Sequence, residues 1–462
     1  MITLYDTLSG KKKALPDTPK LRLFVCGPTV YDHPHIGNAR TFVTFDMLVR
    51  YLRSRKMNVF YLQNITDVDD KIIERAAAEK TMWEEVARRY EKIFLTDMKA
   101  LDVISVDRYA RATDFIPEIV RQIKTLIEKK HAYLIEGDGW YFDLATFPDY
   151  GKLARRTVTQ AEDAMSRIDA SDRKRNRGDF ALWKFSKLGE PSWPSEDLGA
   201  GRPGWHIEDT AITEHFFGPQ YEVHGGGIDI KFPHHEAEIA QQESASGLVP
   251  FVRTWMHVGH LTVNGEKMSK SLKNFVTIEE LLKRHSPSTF RMMVFMHHYR
   301  SPLDYTDTLA ETARKNVETI SVFLAKLKIV AQDGHDKENG VKISEMLEHD
   351  VRVALEDDFN TPKALAAVFE HIAKHQKKVW EMLANEAKAM AKGLEDLFAT
   401  FGITVEAPKI SEKAKKLANE RETSRGSKQF EQSDRLRKQI EELGYEVEDT
   451  PRGPFLWPKN PN

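Results

Sequence analysis

Residues 21–65 constrain the fold of this chain more than any other stretch. The apolar run Leu21-Arg22-Leu23-Phe24-Val25-Cys26 has the length of a buried strand and stops at Gly27-Pro28. Over residues 39–53 the period becomes helical, with Phe42, Phe45, Leu48 and Leu52 on one face, and residues 58–65 read as a second strand. Strand, helix and strand at this spacing make a parallel α/β unit, because parallel neighbours need a crossover of a dozen or more residues between them. The fold class expected is α/β, with a Rossmann-like parallel sheet.

A helix through Ile72, Ile73 and Ala76 continues the unit, and the pattern breaks after about residue 100. A helix over residues 116–130 then leads to two short strands, 132–136 and 140–144, joined across Gly137-Asp138-Gly139 as a hairpin. Antiparallel structure inside a parallel fold marks an α+β insertion. Parallel character returns at residues 221–224, where a Gly225-Gly226-Gly227 loop precedes a helix opened by Pro233 and closed near Gly247. From about residue 305 the chain reads as a helical bundle with a polar loop at 333–340. After Ala407-Pro408 comes a small α/β module: a helix over 428–443 stopped by Gly444, then a hairpin around Pro451-Arg452-Gly453.

With 462 residues, 41% hydrophobic and 30% charged, the chain buries more than one core. The parts expected are 1–104 and 201–255 as two halves of the parallel domain, 105–200 inserted between them, 256–305, 306–403 and 404–462. A net charge of −2 gives no global sign of nucleic-acid binding, so any such surface is local. No apolar run is long enough for a bilayer, and the polar start has no signal-peptide character. The single cysteine, Cys26, permits no intrachain disulfide. A soluble, cytoplasmic protein is expected.

In an open α/β sheet, ligands bind beyond the carboxyl ends of the strands, so Cys26, the His33-Pro34-His35 segment and the Gly225 loop should face one crevice. The helix start there offers free N–H groups to phosphate, and His33 and His35 add donors. Lys267 and Lys270, in Lys267-Met268-Ser269-Lys270-Ser271, would neutralise a departing pyrophosphate. Taken singly, each segment also reads plainly, the first as a cap and the second as a solvated loop; together they suit activation of a carboxylic acid at the α-phosphate of ATP. No Gly-x-x-x-x-Gly-Lys-Ser/Thr loop exists to hold phosphates instead. His234 and Glu238 lie four apart on one helical face, either as zinc ligands or as a capping pair. The basic cluster Arg173-Lys174-Arg175-Asn176-Arg177 is either a phosphate-backbone contact or a solvated loop.

Nearly end to end, the chain resembles class I cysteinyl-tRNA synthetases. The resemblance rests on residues 24–32 (FVCGPTVYD), 35–40 (HIGNAR), 62–73 (LQNITDVDDKII), 179–184 (DFALWK), 204–208 (GWHIE), 224–238 (HGGGIDIKFPHHEAE) and 267–271 (KMSKS), and on the terminal module over 433–457. It implies that L-cysteine and ATP, with magnesium, form cysteinyl-adenylate and pyrophosphate, and that cysteine then passes to the 3′ end of tRNA(Cys). It also implies roles: His35, Lys267 and Lys270 catalytic; His33, His35, Gly37, Asn38, Gly226, Lys267 and Lys270 on ATP; Thr29, Trp205 and His206 on the amino acid. One zinc ion would ligate the substrate thiolate. The insertion would meet the tRNA acceptor end, 256–305 would carry the lysine loop and a stem contact, and the last two parts would reach the anticodon. A monomer is expected.

The chain departs from the family twice. Asn38 replaces the second histidine of the HIGH tetrapeptide and keeps a hydrogen-bond donor. The family's zinc set of two cysteines, a histidine and a glutamate maps onto Cys26, Asp209, His234 and Glu238, so a carboxylate stands where the second thiolate would be. Aspartate is a zinc ligand of similar bond length and equal charge, but harder and weaker than thiolate. The expectation is that zinc still binds. Two rival readings share these motifs: a ligase joining cysteine to an amino sugar without tRNA, and a non-catalytic tRNA-binding paralogue.

Overall fold

The computed structural model describes residues 1–156, 173–268, 272, 274–333 and 341–459. It divides into two compact units, Met1–Ala310 with Leu355–Thr361, and Glu311–Ala354 with Pro362–Asn462. Among the described residues no helix is long and apolar enough to cross a membrane.

The first unit opens with an antiparallel pair, β1 (Thr3–Asp6) and β2 (Lys11–Ala14). The expected strands follow as β3 (Leu21–Val25) and β4 (Val59–Ile65), paired in parallel with Leu21 opposite Val59. The helix between them, Ile36–Ser54, buries Phe42, Phe45, Leu48 and Leu52, and also Val43, Met47 and Val49 on its other sides. A helix apolar all round is a core helix. Its Asp46 and Arg291 of the helix Pro287–Phe295 form a 2.7 Å ion pair with both side chains fully buried.

Strand β5 (Arg108–Arg111) adds to the edge of β4, and β10 (Tyr221–Gly227) and β11 (Val252–Val258) add beyond β3, giving an all-parallel sheet in the order β11-β10-β3-β4-β5. Two sequence expectations change here. The glycines 225–227 lie in β10 itself, because the helix Ile36–Ser54 passes so close that a Cβ on Gly225 would sit 2.1 Å from Phe45 Cζ. The inserted part starts later than residue 105 and ends later than 200. Arg108–Arg111 belongs to the parallel sheet, and the helix Ile116–Glu128 joins its core beside Phe24, Ile207 and Ala211. The antiparallel insertion is β6 (Ala132–Ile135), β7 (Gly139–Phe142), β8 (Phe180–Phe185) and β9 (Gly201–Pro203).

After β11 a small sheet of β12 (Leu261–Val263), β13 (Glu266–Lys267) and β14 (Leu303–Tyr305) carries the lysine loop. Lys270 and the polar loop at 334–340 lie outside the described residues. The second unit holds the helices Val341–Glu356, Thr361–Gln376 and Ala384–Phe401, at whose edges the two units meet in sequence. It ends in the helices Glu412–Gly426 and Phe430–Glu442 and the hairpin β15 (Tyr445–Thr450) and β16 (Gly453–Pro458). Ala414, Ala418, Ile440, Val447 and Leu456 form that module's core.

Candidate active site and metal centre

The sheet order reverses between β3 and β10, since β4 and β5 lie on one side and β11 on the other. The loops leaving two strands at such a switch point diverge and open a crevice. Cys26 follows β3 directly, its N–H donating to the Gly225 carbonyl of β10 at 3.1 Å. Two adjoining cavities fill the crevice. One, of about 270 Å³, is lined by Thr29, His33, Trp205, Asp209 and His234; the other, of about 350 Å³, by Gly37, Gly227, Asp229, His260 and Lys267. Cys26, Gly27, His35, Asn38 and Ile230 wall both.

His35 is the N-cap of the helix Ile36–Ser54. Its Nδ1 accepts from the N–H groups of Gly37 (3.0 Å) and Asn38 (3.3 Å), and the Asn38 side-chain oxygen accepts from the His35 N–H at 3.2 Å. The N–H of Ile36 donates to the Val276 carbonyl and that of Ala39 to the His35 carbonyl. The helix start therefore has no free N–H groups for phosphate, which corrects the sequence expectation. Instead, two backbone N–H groups hold Nδ1 as an acceptor and leave Nε2 as the protonated, donating nitrogen. Burial lowers the His35 pKa, which agrees with a neutral ring. His33 lines the first cavity and packs edge-on against Tyr90.

Lys267 ends the β12–β13 hairpin on the second cavity, and its carbonyl accepts from Asn274 Nδ2 at 3.2 Å. Gly226 is not on either cavity wall. A Cβ there would meet His235 Cε1 and Ile230 Cδ1 at 2.8 Å, so its lack of a side chain makes room for His235, while Gly227 faces the cavity.

Behind the shared wall lies a buried group of donors. Asp209, in the first turn of the helix Ile207–Phe217, places Oδ2 3.0 Å from His234 Nε2. That nitrogen is also 3.2 Å from Glu238 Oε1, which lies 3.7 Å from Cys26 Sγ. The four donor atoms of Cys26, Asp209, His234 and Glu238 lie within 4.8 Å of one another. Trp205 stands over this group, its ring centroid 4.9 Å from that of His234. His206 is buried behind it, off the cavity, with Nδ1 2.7 Å from His234 Nδ1.

The chemistry of this donor set fits a cation. Burial pushes the Cys26 thiol well up, and burial with the charge of Asp209 pushes the Glu238 and Glu208 carboxyls well up. Burial also pushes His206, His224 and His235 well down, so their imidazoles are neutral and available as ligands or spacers. Glu238 Oε2 has no hydrogen-bond partner among the described residues. A buried acid surrounded by other acids and left half unpartnered is costly, and a bound cation reverses that balance.

Several neighbours escaped sequence reading. Asn64, at the end of β4, donates to Asp209 Oδ1 at 2.5 Å and accepts from the Gly27 N–H at 2.5 Å, fixing the carboxylate against the Cys26 loop. Thr66 donates to Glu208 at 2.9 Å. The available signal was a polar Gln63-Asn64 pair inside an otherwise apolar strand. His224, His235 and His257 cluster at the base of the same group; the first two stand inside the quoted 224–238 segment, where His235 could be suspected of reading the thiol, and only His257 carried no sequence signal.

Comparison with known proteins agrees with this architecture. Residues 14–315 match the family model of the tRNA synthetases class I (C) catalytic domain, and residues 350–406 match the DALR domain. The chain is 41% identical to a cysteine–tRNA ligase of Thermococcus gammatolerans and 40% identical to one of Legionella pneumophila, in each case across 98% of both chains. Among solved structures it is similar to Mycobacterium tuberculosis methionyl-tRNA synthetase in complex with methionyl-adenylate, with a TM-score of 0.57, 18% identity, and 84% and 90% of the two chains covered. A ternary complex of Agrobacterium radiobacter LeuRS, tRNA and LeuAMS gives a TM-score of 0.61 at 11% identity, covering 84% of each chain. At those identities the likeness concerns the fold.

Proposed function

The chain belongs to the cysteine–tRNA ligases, class I aminoacyl-tRNA synthetases, and from this we propose that it activates L-cysteine with ATP and transfers it to tRNA(Cys). The observation that carries this reading to the residues is the pair of adjoining cavities with Cys26 and His35 in their common wall. One cavity meets the buried thiol, carboxylate and imidazole donors; the other meets His35 and Lys267. A carboxylate bound at the junction lies between them, facing the α-phosphate.

Each residue then has a task. Trp205 and Thr29 bound the amino-acid side, and His206 holds His234 from behind. His35 offers Nε2–H to the phosphates, and its Nδ1 is polarised by two backbone N–H groups, which strengthens the outward donor. Asn38 completes the cap with its oxygen and keeps its amide N–H₂ for ATP. Gly37 and Gly227 complete the nucleotide wall, His33 reaches ATP from the first cavity beside the shared His35, and magnesium accompanies ATP. Lys267 and Lys270 balance the charge that grows on the leaving pyrophosphate. Cys26, Asp209, His234 and Glu238 would hold zinc, which when bound supplies a thiolate-selective anchor that serine's hydroxyl satisfies poorly. The inserted sheet takes the acceptor end, residues 256–305 the stem, and the helical and terminal parts the anticodon.

Cysteine-dependent exchange of pyrophosphate into ATP, followed by charging of tRNA(Cys), tests the whole reading. Both activities are expected. Exchange without charging would replace it with a small-molecule cysteine ligase, and absence of exchange with a non-catalytic tRNA-binding protein. Metal analysis before and after chelation tests the zinc assignment. A metal-free protein that still prefers cysteine over serine would overturn it.

A further inference from the structure

The donors behind the crevice form two overlapping sets, not one. Cys26, His224, His235 and Glu238 also bring four ligand atoms within 4.8 Å of one another, and all four residues are buried. His224 Nε2 lies 3.3 Å and His235 Nε2 3.1 Å from Cys26 Sγ, so this second set adds two imidazoles to the thiol and carboxylate that it has in common with the first. Glu238 divides its oxygens between the sets: Oε1 is 3.2 Å from His234 Nε2, while Oε2, which has no hydrogen-bond partner among the described residues, is 3.5 Å from His224 Nε2.

Both imidazoles are aimed by their second nitrogens. His224 Nδ1 meets the Tyr221 hydroxyl at 2.7 Å, and Trp255 stacks on its ring at 4.3 Å. His235 Nδ1 meets His257 Nε2 at 2.8 Å, and His257 Nδ1 meets Thr7 Oγ1 at 2.8 Å. Partnering of the outer ring nitrogen is how proteins fix a metal-bound histidine. A lone thiol explains the arrangement less well: it has one weak S–H to give and is a poor acceptor, yet two imidazole nitrogens approach it.

We propose that Cys26, His224, His235 and Glu238 form a second, inner metal position, taking a borderline divalent cation such as zinc or cobalt(II) with two nitrogens, one sulfur and one oxygen. Cys26 walls both crevice cavities but His224 and His235 line neither, so the inner position lies behind the substrate-facing wall, as structural rather than catalytic sites do. It shares one thiolate and one carboxylate with the outer position, and the two positions compete for them. Asp209, a harder ligand than a thiolate, weakens the outer position and favours the inner one.

Chelator-stripped full-length protein titrated with cobalt(II) alone tests this. The Asp209→Ala/His234→Ala protein, shown folded by circular dichroism, is expected to bind about one cobalt per chain with a thiolate-to-cobalt charge-transfer band. Adding His224→Gln and His235→Gln should remove the band and lower affinity at least ~10-fold. No cobalt in the folded double variant, or a band that survives loss of both histidines, would overturn the proposal. Anomalous diffraction from cobalt-loaded wild-type crystals gives a check free of substitutions: density beside His224 and His235 supports it, and density confined to Asp209 and His234 sinks it. Cysteine-dependent pyrophosphate exchange reports the functional reading separately, so failure of either is recognisable.

Discussion

His35 does two jobs with two nitrogens, and they can be separated. Nδ1 caps the helix through Gly37 and Asn38, while Nε2 faces the cavities. Asparagine is a good cap but cannot reach as far. His35→Asn should therefore keep the melting temperature near that of the parent yet slow pyrophosphate exchange by ~10²–10³-fold, whereas His35→Ala should lose the activity and about 1 kcal/mol of stability as well. Unchanged exchange in His35→Asn would reduce the residue to a cap. Asp209 offers the converse experiment. Asp209→Cys restores a softer ligand but gives up a good acceptor for Asn64, so zinc should bind more tightly by only about tenfold, measured by chelator competition. Looser binding would mean that the hydrogen bond outweighs ligand softness. Spacing alone offered His234 and Glu238, the family resemblance added Cys26 and Asp209, and the fold brings the four donor atoms within 4.8 Å of one another. Sequence could not show Asn64, which acts only after β4 brings it beside the Cys26 loop, nor which nitrogen of His35 faces outward.

At the level of elements, the parallel unit of β3, helix and β4 was legible from period and spacing, since a parallel crossover leaves few alternatives, whereas the switch point between β3 and β10 emerges only from the sheet order. The glycines after His224 were misread as a loop for a definite reason. Glycine is a poor strand former by propensity, and only the close passage of the helix Ile36–Ser54 makes its bare backbone the better choice. The consequence is measurable. Gly225→Ala drives a Cβ to within 2.1 Å of Phe45 Cζ, and should cost roughly 1–3 kcal/mol in urea unfolding. Phe45→Leu in the same chain should recover part of that loss, because the two sites are in contact. An additive pair would locate the strain elsewhere. The helix Glu412–Gly426 escaped for the opposite reason: only Ala414, Ala418 and Arg421 are buried on it, so its apolar stripe is too thin to announce a helix.

For the whole molecule, stability should depend on pH through Asp97, whose side chain is 8% exposed. Burial, opposed by His33 and reinforced by Glu279, raises its pKa to about 6 from 3.8. The folded state therefore holds the proton more tightly than the unfolded chain. Stability from this group is present below pH 4, falls as pH rises towards 6, and stays lost above it. Asp97→Asn should raise the melting temperature at pH 7–8, by roughly 1–2 kcal/mol equivalent after allowing for partial access to water, and have little effect at pH 4; a gain independent of pH would point to another cause. The division into units makes a second demand. Sequence placed a boundary near residue 305, yet Leu355–Thr361 returns to the first unit. Asp358, 1% exposed, accepts there from the Tyr5 N–H at 2.8 Å, the Tyr299 hydroxyl at 2.7 Å and Arg300 at 2.6 Å. No local period announces such a return, because its partners lie at both ends of the first unit. Asp358→Ala strips three donors at once and should cost roughly 2–4 kcal/mol. Asp358→Asn keeps acceptor geometry for Tyr5 and should recover part of it. Because Asp358 lies outside the crevice, the loss should appear in unfolding and leave the Michaelis constant for cysteine unchanged; a raised constant in folded protein would show that this return also shapes the site.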